Sequence, residues 1–132
     1  MFERSGPLTV EDLPGSGADF LEQFKKFILD GSTIIASPHK IFGPQTNDLS
    51  LQLRKRGVSQ IVLAGMAANL CVESHLGHLL EEGFEIVVVG DATAAPRLAL
   101  GDAYLAALTN YRFLAHAVWM TEAAVSHIRA PA

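Results

Sequence analysis

The feature that most limits what this chain can fold into is the alternation of uninterrupted apolar runs with amphipathic stretches. QIVLAG (60–65), FEIVVVG (84–90) and FLAHAVWM (113–120) are of strand length and largely apolar on both faces. A strand apolar on both faces has to be covered on both, which is the condition of a parallel sheet flanked by helices. TIIAS (33–37), β-branched and stopped by Pro38, predicts a further buried strand. The stretches between read as helices. DFLEQFKKFI, from Asp19, sets Phe20, Phe24 and Phe27 on one face and stops at Gly31; NDLSLQLRKRG starts at Asn47 or Asp48 and stops at Gly57. A third helix begins near Asn69 or Leu70 and ends at Gly83, and a fourth begins at Asp102. DATAAPRLA is predicted to be a loop, and TEAAVSHIRA closes the chain as a helix with Thr121 as its cap. The expected class is α/β, a three-layer αβα arrangement around a mainly parallel, Rossmann-like sheet.

Composition narrows the functions open to such a fold. A chain of 132 residues, 49% of them hydrophobic, suits one domain over residues 1–132, with residues 1–18 as an extended lead-in rich in Gly and Pro. The net charge of −4 and the lack of a Lys/Arg block argue against a nucleic-acid partner, because neutralising phosphates takes clustered cations. The run Arg54, Lys55, Arg56 instead suits a helix C-terminus, where cations complement the dipole. One cysteine cannot form an internal disulfide, and the N-terminus lacks the layout of a secretion signal, so the cytoplasm is the default compartment. No apolar run reaches the roughly 18 to 20 residues of a membrane span.

That one cysteine, Cys71, follows QIVLAG in GMAANLCVESHLGHLL (65–80). In open α/β sheets, sites form beyond the carboxyl ends of the strands. In the first turn of a helix, unpaired N–H groups and the positive end of the dipole favour a thiolate. The small residues Gly65, Ala67 and Ala68 leave the backbone of the turn open to a substrate and its developing oxyanion. A buried structural cysteine is the competing reading. His75, four residues on, raises a Cys/His dyad, with a half-exposed surface histidine as the alternative. His39 and His78 do not combine with Cys71 at zinc-like spacing, so no metal or other cofactor is expected. Lys40, at the carboxyl end of TIIAS, could favour the thiolate and orient a carbonyl compound, or simply be solvated. Asp91, just past FEIVVVG, has a direct chemical role as one reading and a turn brace as the other. The turn GMAAN lacks a G-x-G-x-x-G phosphate cradle, which leaves little for a flavodoxin-like nucleotide binder.

Taken together, Lys40, then LSLQLRKRGVSQIVLAGMAANLCVESH, then GFEIVVVGDATAA closely resembles the isochorismatase-like, or cysteine hydrolase, superfamily over roughly residues 33–125. The resemblance implies Cys71 as nucleophile, Lys40 as the lysine of an Asp/Lys/Cys triad, and a cis peptide between Met66 and Ala67. It further implies that the N–H groups of Ala67 and Cys71 hold the oxyanion. The reaction it implies is attack of Cys71 on a small amide or related acyl compound and hydrolysis of the acyl-enzyme. Isochorismatases proper resemble this pattern without the cysteine, so C–N amidohydrolase chemistry fits better. His39, Phe42 and Asn69 are expected pocket residues.

One departure weighs against activity. The family's aspartate stands in a D-x-Q motif on an upstream strand, and this chain has no D-x-Q. The chain resembles a member lacking its first strands, with Asp19, Asp91 or His39 as a substitute base. The other reading is a truncated, catalytically impaired homologue acting as a binding or assembly module. In either case a missing central strand leaves an unpaired edge, and the expected partners are a small-molecule substrate and a second copy, as a homodimer or higher homo-oligomer formed through that edge or by exchange of the N-terminal arm.

Overall fold

The structure, a computed structural model, describes residues 14–17, 19–36 and 42–130. Three parallel strands form the sheet: β1 (Gln60–Met66), β2 (Glu85–Ala94) and β5 (Ala117–Trp119), in the order β1-β2-β5. A short hairpin, β3 (Arg97–Leu98) and β4 (Gly101–Asp102), stands apart from it. The helices are α1 (Glu22–Ile28), α2 (Leu49–Lys55), α3 (Glu73–Glu81), α4 (Ala103–Leu114) and α5 (Thr121–Arg129).

The core gathers where the apolar periods of strand and helix meet. Ile86 and Val88 of β2 pack with Leu76 and Leu79 of α3 and with Ala107 and Tyr111 of α4, all essentially inaccessible to water. Val89, of opposite parity and therefore on the other face, is buried too, and α5 packs against β2 and buries Ala124. Each fully buried aliphatic side chain contributes about 1.5 to 3 kcal/mol. Helices on both faces of a parallel sheet give the α/β class expected from the alternating runs.

Local signals set several boundaries. Asp102 caps α4, its carboxylate accepting from the N–H groups of Tyr104 and Leu105. Those bonds and the Arg97 guanidinium hold its carboxyl below the usual range. Gly57, after α2, has a φ of 66°, the left-handed region in which glycine commonly ends a helix.

Other expectations are corrected. Residues 33–36 of the TIIAS run form no strand and are half-buried or exposed. Thr33 and Ser32 are instead held by Asp30, whose Oδ1 accepts both backbone N–H groups, and among the described residues no strand offers a ladder to this segment. FLAHAVWM yields only the three residues of β5, because α4 continues through Leu114 and Ala115 still donates its N–H to the Tyr111 carbonyl. DATAAPRLA is not all loop. After a register shift between Leu63 and Gly65, β1 and β2 pair again, Gly65 with Thr93 and Met66 with Ala94. Thr121 starts α5, and the cap comes from Asp91, whose Oδ1 accepts from both the N–H and the hydroxyl of Thr121.

Candidate active site

The chain leaves β1 through a tightly specified turn. Gly65 has a φ of 121°, where a side chain would be strained. The next peptide bond, Met66–Ala67, is cis. Ala68–Val72 then form a single π-helical turn, the Val72 N–H reaching back five residues to the Ala67 carbonyl at 3.2 Å while Leu70 donates to the same oxygen at 3.1 Å. Cys71 lies in this turn, half-buried, directly ahead of α3.

What fixes the turn from below is Tyr111. Its side chain is fully buried, and its hydroxyl donates to the Ala68 carbonyl at 2.5 Å. Burial, reinforced by the nearby Glu73 carboxylate, pushes its ionisation up to about 12. Tyr111 is not among the site residues expected from the sequence. The signal was there: a tyrosine four residues after Ala107 on an apolar helix face buries its ring and needs a partner for its hydroxyl.

Cys71 faces a cleft of about 250 Å³ lined by Leu63, Ala64, Gly65 and Met66 of β1 and by Cys71, Val72 and His75. His75 leans toward the N-terminus of the helix, as a helical side chain does, and its Nδ1 donates to the Cys71 main-chain carbonyl at 2.7 Å. The ring is thereby tied to the backbone of the nucleophile turn. His78, one turn on, lies 3.2 Å from Glu82 and accepts from Gln45 through Nδ1.

The remaining candidates separate. Lys40 and His39 lie outside the described residues. Phe42 and Asn69 come together, with Leu70, Glu73, Ser74 and Leu114, in a second cleft of about 440 Å³ that does not include Cys71. Ala67 and Cys71 belong to the same turn, Ala67 immediately before its first residue. Asp91 is engaged at the start of α5. Asp19 accepts from Gly15, Phe20 and Lys25, and the Gly15 N–H first and the Lys25 ammonium next hold its carboxyl below the usual range. Among the described residues, no helix is long and apolar enough to cross a membrane.

Residues 12–124 match the isochorismatase domain. The chain belongs to the isochorismatase family. The uncharacterized isochorismatase family protein YwoC of Bacillus subtilis is 32% identical over 83 residues, 61% of this chain and 41% of that protein. The chain spans less than half the length of the curated relatives it matches. A cysteine hydrolase from Pseudomonas syringae superposes with a TM-score of 0.65 at 22% identity, covering 73% of this chain and 49% of that one. Nicotinamidase/pyrazinamidase from Bacillus subtilis does so with 0.65 at 19% identity, covering 80% and 60%. At these identities the two structures establish the isochorismatase-like fold.

Proposed function

We propose that this isochorismatase-family chain carries the nucleophile of a cysteine hydrolase that cleaves a small amide or related acyl compound. One observation supports the reading above the others: Cys71 stands in a rigidly held turn at the carboxyl end of β1 and faces a cleft. The Cys71 thiolate attacks the carbonyl carbon, and the N–H groups of Ala67 and Cys71 receive the negative charge that develops on oxygen. The C–N bond breaks, the amine leaves with a proton, and water cleaves the Cys71 thioester to release the acid. Lys40 orients the carbonyl compound. The fold shared with a cysteine hydrolase and a nicotinamidase is consistent with this chemistry.

The test combines iodoacetamide alkylation of Cys71 from pH 5 to 9 with hydrolysis of a panel of small amides and activated esters. An activated thiolate reacts already at the acid end of that range, and Cys71→Ala removes all turnover while the far-UV signal is kept. A thiol that reacts only at the alkaline end, with no turnover, refutes the hydrolase reading.

A second reading rests on a different observation. Both described carboxylates named as substitute bases are engaged, Asp19 with Lys25 and Asp91 with Thr121, and the chain has no D-x-Q. A binding or assembly module that retains the turn without catalysis matches that. Asp19→Asn and Asp91→Asn separate the two: a hydrolase relying on either base loses turnover in one variant, whereas a module shows none to lose.

A further inference from the structure

The cleft that does not include Cys71 runs along residues that recur every fourth position, Asn69 in the turn and Glu73 and Gly77 in α3, with Phe42, Leu70 and Leu114 as its apolar walls. Two oxygens on that stripe are short of partners. The Oδ1 of Asn69 is buried and accepts no hydrogen bond among the described residues, a costly state for a carbonyl oxygen. The Glu73 carboxylate accepts from Asn110 Nδ2 through Oε1 at 2.7 Å, and among the described residues no hydrogen bond reaches its other oxygen. Gly77 stands in the middle of α3, where alanine would favour the helix, yet a Cβ built on it meets no atom within 4 Å. The glycine leaves the floor of the cleft open.

We propose that this cleft binds a small organic amine in its ammonium form, carried on an apolar or aromatic body. Of the described residues that line it none is cationic and one is a carboxylate, so a cation is attracted and an anion repelled. Phe42, 42% exposed, offers its ring to the same cation, and Leu70 and Leu114, 41% and 50% exposed, take the apolar body. The ammonium donates to the second Glu73 oxygen, and rotation of the Asn69 amide turns Oδ1 toward another of its N–H groups. The cleft volume of about 440 Å³ falls within the range of small-molecule sites.

The site goes beyond the hydrolase reading, and none of its readouts needs turnover. Benzylamine is the probe, with benzyl alcohol and benzoate as its neutral and anionic counterparts, each titrated into the chain and followed by NMR. Benzylamine is expected to shift, saturably, the signals of Asn69 (its side-chain amide included), Glu73 and Gly77, while those of Leu63 and Ala64 beside Cys71 stay in place. Benzyl alcohol binds about tenfold more weakly, the worth of one hydrogen bond to a charged group, and benzoate does not bind. Glu73→Gln, which keeps an acceptor for Asn110, removes the preference for the amine over the alcohol. Gly77→Leu fills the floor and abolishes binding while the far-UV signal is kept. The absence of a saturable shift, equal binding of the alcohol, binding of benzoate, or an unchanged preference in Glu73→Gln each overturns the proposal. Full affinity in a folded Gly77→Leu does so as well, and so do shifts centred on Leu63 and Ala64, since the amine then sits beside Cys71. If the stripe signals move on dilution of the free protein, a side chain of a second copy fills the cleft and a free amine is not its ligand. If the amine binds as stated but no amide is hydrolysed, the hydrolase reading fails and this site stands.

Discussion

Helices α1 and α3 are both short and both amphipathic, yet they end in opposite situations. In α3, Leu76 and Leu79 are 0% and 1% exposed; in α1, Phe24 and Phe27 are 47% and 62% exposed, and no residue is buried. The difference lies in what each helix has to pack against. α3 lies over β2, the central strand, with α4 beside it. Among the described residues, no element buries the phenylalanines of α1 in the same way. An apolar period is thus a capacity for burial, and the neighbouring element decides whether it is used.

That contrast can be broken or sharpened by substitution, with stability read from urea denaturation. Leu76→Ala is expected to destabilise by about 2 to 5 kcal/mol, the cost of a cavity among atoms that cannot close over it. Tyr111→Phe is expected to cost about 1.5 kcal/mol through the lost bond to the Ala68 carbonyl. It should also loosen the Cys71 turn, seen as faster exchange of the Val72 amide. The same tyrosine has a pH signature. Its ionisation is raised from 10.0 to about 12, so its contribution is complete below pH 10 and is lost as the pH rises toward 12. Alkaline titration of Tyr111→Phe should lack that loss. Asp91→Ala is expected to cost about 1 kcal/mol, the value of a helix cap, because the Thr121 N–H loses its acceptor. Phe24→Ala and Phe27→Ala are expected to change stability by no more than about 0.5 kcal/mol. Should either cost as much as Leu76→Ala, α1 is packed in solution and the contrast with α3 disappears.

Much of the fold is legible in the sequence, for reasons specific to particular residues. FEIVVVG has no polar face and forms the central strand, buried on both sides, and QIVLAG pairs with it in parallel, although β1 leaves Val62 exposed. Asp102 and Gly57 act through bonds and torsions within a few residues of themselves, and they mark the start of α4 and the end of α2. TIIAS has the same β-branched chemistry as the true strands and still forms none over residues 33–36. A strand is completed by its ladder, and no partner presents one to this segment among the described residues. The candidate site divides in the same way. Cys71 is marked by its turn, but the grouping of Phe42 with Asn69 in a cleft apart from it, and the bond between Asp91 and Thr121, depend on where whole elements come to rest.

By itself, the sequence determined the α/β class, the order of its central elements and the position of Cys71 ahead of a helix, because periodicity, caps and glycine torsions act over a few residues. Only the tertiary structure decided which apolar faces are buried, that Tyr111 holds the turn from 43 residues away, that Asp91 braces α5, and that Phe42 and Asn69 share a cleft apart from Cys71. Each of those depends on a partner distant in the chain, and local residue pattern carries no record of which distant element will arrive.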